Sequence, residues 1–350
     1  MPSFTRLQKM ARDRQKVTGE EYQTALQELR THVPNPALIP RAAVGQAGFE
    51  ASLLDLLGQI DISLWPTGTP AWGFTRLTPR LNELVAEFDR RCLIDFIKEI
   101  MPCDGGDAQV YGYPGLRIEK AGNGVALLRP GPPGRLILRV SWSDWNKAAA
   151  IARQELAEDH EGQPPAPFWV ERPQDWHPRE RAYVAQWPGR HDSTGPFYRN
   201  ASPLSVLLRH LIVWNGGTNL DYIKLWTNGA MHDGHAYPIH FAWANGPTHP
   251  QILALLQDPI FCRDEQLGRL MSRCRCYQGA CWLTLRLATG NKLFLRRDTE
   301  PVRLTTTKLP DREHYRRRLQ RRAAFCADHG LPGPFDNPTS PTRKHGTFWR

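Results

Sequence analysis

Residues 115–131 read GLRIEKAGNGVALLRPG, and residues 135–142 continue as RLILRVSW. Apolar and charged side chains alternate in both segments, the period of a strand with one face buried and one face wet. Asn123-Gly124 is a dipeptide favoured in two-residue hairpin turns, whose central positions need positive φ. Together these features predict an antiparallel meander between residues 108 and 142. Helical periods flank it on both sides, so the expected class is α+β. The expected parts are an N-terminal helical hairpin, a mixed core with antiparallel strands and a basic C-terminal helix.

Working outward, Ser143 is placed to cap a helix running to about Asp159. Upstream, the spacing predicts a long helix over 79–100, with Thr78 as cap and Pro79 at its first position. Leu81, Leu84, Val85, Phe88, Leu93, Phe96, Ile97 and Ile100 would form its apolar face. A short helix is expected around Glu50–Ile60. Residues 34–47 are rich in proline and glycine and read as a linker. Before them, residues 1–33 read as two helices. Ser3 caps the first, which carries Phe4, Leu7, Met10 and Ala11. Thr18 and Glu21 stand at capping-box spacing for the second, which carries Tyr22, Ala25, Leu26 and Leu29. The texture of this hairpin resembles the helical part of ribbon-helix-helix DNA-binding proteins, without a leading strand. Its plain reading is a pair of helices that docks on the body or on a partner protein.

Downstream, residues 160–202 are rich in proline and tryptophan and show little periodicity. Ser202-Pro203 opens a helix expected to end at Asn215-Gly216-Gly217. YIKLWT (222–227) and AYPIHFAW (236–243) read as strands, and HPQILALLQDPIF (249–261) as a short helix. CWLTLRLATGNKLFLRR (281–297) reads as a hairpin turning at Gly290-Asn291. The mixed core is thus expected over 48–308, with a basic helix and proline-rich tail over 309–350.

The chain has 350 residues, 41% of them apolar and 23% charged, a composition that can bury a core and argues against disorder. VLLRHLIVW (206–214) is the longest apolar candidate and is too short to span a membrane. The first residues lack the apolar stretch of a secretory signal. Seven cysteines, an odd number, read as free thiols in a reducing compartment, so the expected location is the cytoplasm. The net charge of +10 is regional. Residues 1–100 hold 12 basic and 12 acidic side chains, residues 101–260 hold 14 and 15, and residues 261–350 hold 19 and 8. A local excess of this kind attracts polyanions, nucleic acid first.

Two candidate metal sites stand out. MHDGHAYPIH (231–240) would set His232 and His235 opposite each other over an Asp-Gly turn, able to share a divalent metal such as zinc or manganese. His240 falls on the other face of a straight strand. Asp221 and Asp233 are further oxygen donors without diagnostic spacing. Cys262, Cys274, Cys276 and Cys281 form the second group, but they lack the paired knuckles of a zinc ribbon. His210, on an apolar helix, reads as a hydrogen-bonded core residue. Phosphate-loop, zincin and nucleophile-elbow motifs are absent.

The strongest functional signal is DREHYRRRLQRRAAFCADHG (311–330). Tyr315, Leu319, Ala323 and Cys326 would form a narrow docking stripe. Arg312, Arg316, Arg317, Arg318, Arg321 and Arg322 would crowd the remaining surface, with forks suited to phosphate. Arg296 and Arg297 would extend the patch, and Arg343, Lys344, Phe348, Trp349 and Arg350 add charge and stacking groups. The expected function is nucleic-acid binding through phosphate, on DNA or RNA. Two alternatives are a metal-dependent hydrolase or nuclease using the histidine pair, and an interaction module acting through the N-terminal hairpin.

Overall fold

A computed structural model describes residues 4–31, 37–58, 60, 69–105, 109–129, 134–159, 166–171, 175–186, 201–210, 222–227, 239–244, 246–257, 269–270, 275–277, 280–287, 290–298 and 312–331. Its helices are α1 (Phe4–Thr18), α2 (Tyr22–Arg30), α3 (Val44–Leu57), α4 (Leu93–Ile100), α5 (Trp142–Asp159), α6 (Phe168–Glu171), α7 (Pro178–Gln186), α8 (Ala201–Arg209), α9 (His249–Gln257) and α10 (Arg312–Asp328). Its strands are β1 (Phe74–Pro79), β2 (Leu84–Phe88), β3 (Cys103–Asp104), β4 (Val110–Tyr111), β5 (Arg117–Ala121), β6 (Gly124–Leu128), β7 (Arg135–Leu138), β8 (Tyr222–Thr227), β9 (Ile239–Ala244), β10 (Arg269–Leu270), β11 (Arg275–Tyr277), β12 (Ala280–Arg286) and β13 (Lys292–Asp298). The class is α+β, with the N-terminal helical hairpin in place.

The alternating stretch forms the meander β5-β6-β7, antiparallel throughout. Its first turn sits one residue earlier than expected. Ala121 faces Gly124, so Gly122 and Asn123 make the turn, and Gly122 supplies the positive φ of 56°. Gly124 is required for a different reason. A Cβ there would stand 2.4 Å from the carbonyl oxygen of Leu138 on the next strand.

The region 79–100 is not one helix. Pro79 ends β1, and Arg80 N donates to Glu83 O at 2.9 Å to turn the chain into β2. β2 then pairs antiparallel with β1 and parallel with β7, giving the order β1-β2-β7-β6-β5. Leu84, Val85, Ala86 and Phe88 satisfy a strand as well as a helix, and pairing with β7, far along the chain, decides between them. Only Leu93–Ile100 stays helical, after a 3-10 turn in which Asp89 Oδ1 accepts from Arg91 N at 3.0 Å. Two expected caps also move. Ser141, not Ser143, receives Asp144 N at 3.1 Å at the start of α5. Thr18 ends α1, its hydroxyl 2.9 Å from Arg14 O and from Glu20 Oε2, while Glu21 caps α2 without a side-chain bond.

A second sheet runs β10-β12-β13-β9-β8, with β11 also on β12; β13 and β9 are parallel. Its β12-β13 hairpin turns through Gly290 at φ 85°, but Leu287 N donates to Asn291 O at 2.8 Å, so Asn291 lies past the turn, which closes one residue before the expected Gly290-Asn291. One apolar cluster joins both sheets with α3, α4, α5, α8, α9 and α10, from Phe49 through Leu127, Leu136, Phe241 and Leu295 to Phe325, while α1 and α2 pack a separate cluster of Ala11, Ala25, Leu26 and Leu29.

Helices attach to this core through buried arginines. Arg14 donates to Glu20 and to the carbonyls of Leu38 and Pro79, tying the hairpin to the body. Residues 38–40, within the stretch read as a linker, are therefore buried acceptor segments. Arg209 of α8 holds both oxygens of Glu50 on α3 and the carbonyls of Pro40 and Arg80. Arg117 of β5 holds Glu180 of α7.

Candidate nucleic-acid interface

α10 lies against α5. Its buried positions are Arg322, Phe325 and Cys326, with Leu319 half-buried, whereas Ala323 is exposed. The expected stripe is thus rotated: an arginine replaces Ala323 on the docked face. The reason is waiting on the body. Arg322 Nη1 and Nη2 reach Asp95 Oδ2 and Oδ1 at 2.8 and 2.6 Å, while Nε and Nη2 reach Glu155 Oε1 and Oε2 at 3.0 and 2.8 Å. Burial alone would lower the pKa of this guanidinium. The two carboxylates outweigh burial and hold it above its ordinary value.

Two further arginines continue the contact. Arg318 Nη2 lies 2.5 Å from Asp159 Oδ1, and its Nε lies 3.3 Å from Glu155 Oε2. Arg321 Nη2 lies 2.5 Å from Glu158 Oε2. Burial works to raise the Asp159 carboxyl, but Lys98 and Arg318 beside it bring it below the usual value. Arg316 and Arg317 are exposed on the same helix. Arg312 begins α10, and its side chain lies outside the described residues.

Arg296 and Arg297 belong to β13 and are engaged there. Arg296 donates from Nε to Asp298 Oδ1 at 2.7 Å and stacks with Cζ 5.0 Å from the Trp282 ring centre. Burial pushes the Asp298 carboxyl up to about 6 even beside this arginine. Arg297 Nε donates to Gly246 O at 3.3 Å.

The acids that receive α10 carry a signal in the sequence. Glu155, Glu158 and Asp159 follow the spacing i, i+3, i+4, and so do Arg318, Arg321 and Arg322. Such spacing places each set on one helix face, and opposite sign makes the faces complementary.

His232 and His235 lie outside the described residues, as do Asp221 and Asp233. His240 stands on β9 with its ring stacked on Phe294 at 4.8 Å, and burial lowers its pKa. Among the described residues, no group of three or more histidine, cysteine or acidic side chains is arranged to hold a metal. His210 is buried, its Nδ1 2.7 Å from Val206 O, and burial drops its pKa to about 4.

Cys92, Cys103 and Cys326 are buried free thiols, with burial pushing Cys103 up to about 12. Cys281 is disulfide-bonded, which corrects the expectation of free thiols throughout and removes it as a zinc ligand. In the β11-β12 ladder, Cys276 is the position opposite it. Cys262 and Cys274 lie outside the described residues. No helix among the described residues is long and apolar enough to cross a membrane.

The chain matches no protein family, no curated protein and no solved structure.

Proposed function

We propose that the chain binds nucleic acid, DNA or RNA, through phosphate contacts made from its basic C-terminal region. The observation that carries this reading is the division of α10. Its inner face is fixed to α4 and α5 by Arg322, Arg318 and Arg321, and Arg316 and Arg317 are exposed on a helix held in place. Fixing the helix beforehand lowers the ordering cost of engaging phosphate. The regional excess of 19 basic over 8 acidic side chains in residues 261–350 supplies the long-range attraction. Contacts to phosphate position a protein without reading sequence, so broad sequence tolerance is expected.

The test is the salt dependence of binding to a labelled duplex. Arg316→Gln with Arg317→Gln should flatten the slope of log K against log salt by about 1.8, two lost contacts at about 0.9 each. An unchanged slope overturns the reading. We place the protein in the cytoplasm on the buried thiols of Cys92, Cys103 and Cys326 among the described residues; the disulfide at Cys281 is the observation that weighs against it.

A further inference from the structure

We propose that the acidic row Glu158–Asp159 on α5 is a built-in competitor that withholds Arg318 and Arg321 from nucleic-acid phosphate. The inference rests on the nucleic-acid reading above and adds a gate to it. Carboxylate and phosphodiester offer the same thing to a guanidinium, an anionic pair of oxygens that accepts from a planar fork. The sequence supplies forks at 318, 321 and 322, and the structure fills all of them with carboxylate from within the chain.

The occupied forks are not equivalent. Arg322 is clamped between Asp95 and Glu155, with its side chain 6% exposed and that of Glu155 fully buried, so no outside anion reaches it. Arg318 and Arg321 stand nearer the edge, 13% and 19% exposed, and Arg318 keeps a second, buried partner in Glu155. Their acid partners Asp159 and Glu158 keep 32% and 24% of their side-chain surface exposed. Ion pairs at such a rim are weak and screened by salt, so a strand of phosphates can displace these acids without unseating Arg322. Lys98 of α4 also contacts Asp159, so the displaced carboxylate keeps a cation and is not left bare. Arg316 and Arg317, exposed on the same helix, supply the first foothold for a polyanion, and Arg318 and Arg321 become available on exchange.

The experiment uses the full chain and a short labelled duplex DNA, with affinity measured across a salt series. Glu158→Gln with Asp159→Asn should tighten binding about tenfold at moderate salt and steepen the slope by about 1.8, two added phosphate contacts. A control with the same charge change, Glu87→Gln with Glu119→Gln, alters two acids that pair with arginines on the first sheet. Equal gains in the two double variants would assign the effect to net charge and overturn the competitor. Adding Arg321→Gln to the Glu158→Gln background should erase that variant's gain; a gain that persists also overturns it. If Arg316→Gln/Arg317→Gln weakens binding while the acid variant changes nothing, the competitor falls and the nucleic-acid reading stands. If neither wild type nor acid variant binds, both fall.

Discussion

The two ends of the chain are fastened to the same body by buried arginines, but with opposite charge bookkeeping. At the N-terminus, Arg14 meets one carboxylate, Glu20, and completes its donors on two backbone carbonyls. At the C-terminus, Arg322 meets two carboxylates, Asp95 and Glu155, and among the described residues no backbone acceptor. The first site is neutral. The second carries a surplus negative charge, which Arg318 partly balances from one turn away, 3.3 Å from Glu155. A neutral site fails when either member is removed, whereas a surplus site should tolerate loss of one acid and not of its only central cation.

The sharpest way to break this comparison is to remove charges one at a time. Arg322→Met would leave Asp95 and Glu155 buried without their shared cation, at a cost of about 3–5 kcal/mol. Glu20→Gln would strand Arg14 and cost a similar amount. Asp95→Asn should cost only about 1 kcal/mol, because Arg322 keeps Glu155 and a neutral amide oxygen still accepts. Urea unfolding of the three variants decides the matter. If Asp95→Asn is as damaging as Glu20→Gln, the surplus-charge account of the C-terminal site is wrong.

Acid separates the sites in a second way. His210 sits beside Arg209, fully buried, with its pKa brought down to about 4 by burial. An unfolded histidine binds its proton near pH 6.5, so between 6.5 and 4 the unfolded state holds more protons than the folded one. Stability is therefore complete above pH 6.5 and falls as pH drops to 4, by roughly 3 kcal/mol in total. Asp298, raised to about 6, acts with opposite sign over part of the same range, so the histidine must be isolated by difference. His210→Leu should flatten the loss relative to wild type in that window. Asp159, held below the usual carboxylate value, keeps its ion pairs through the whole interval. The α3–α8 contact should thus loosen before the α5–α10 contact, and hydrogen exchange at pH 4.5–5 (about mid-window) would show whether that order is reversed.

The same contrast explains what could be read from the residues in advance. The meander over 115–142 was legible because each strand pairs with its sequence neighbour and alternation is a local property. β2 escapes a local reading because Leu84–Phe88 owes its strand state to β7, reached only after the meander. The charge of Arg322 is legible locally but its face is not, since its two acids lie on α4 and α5, and no local spacing announces a partner 167 residues away. The matching i, i+3, i+4 rows of acids on α5 and arginines on α10 are the one signal that linked them, and only a comparison of distant segments exposes it.

The smallest expected effect tests the rim against the centre of a single helix contact. Glu158 pairs with Arg321 at the edge, where both side chains keep access to water. Glu158→Gln should therefore cost less than about 1 kcal/mol, and the difference from wild type should fade as salt rises, because a rim pair is screened where a buried one is not. A loss comparable to that of Arg322→Met would mean that Glu158 is part of the structural clamp. It would then hold α10 in place, and displacing it with phosphate would unseat the helix that presents Arg316 and Arg317. A small, salt-sensitive loss instead leaves Glu158 free to act on binding while Asp95 and Glu155 keep the fold. That separation of duties between Glu158 at the rim and the inner acids Asp95 on α4 and Glu155 on α5 would let one basic helix be anchored and still accept phosphate.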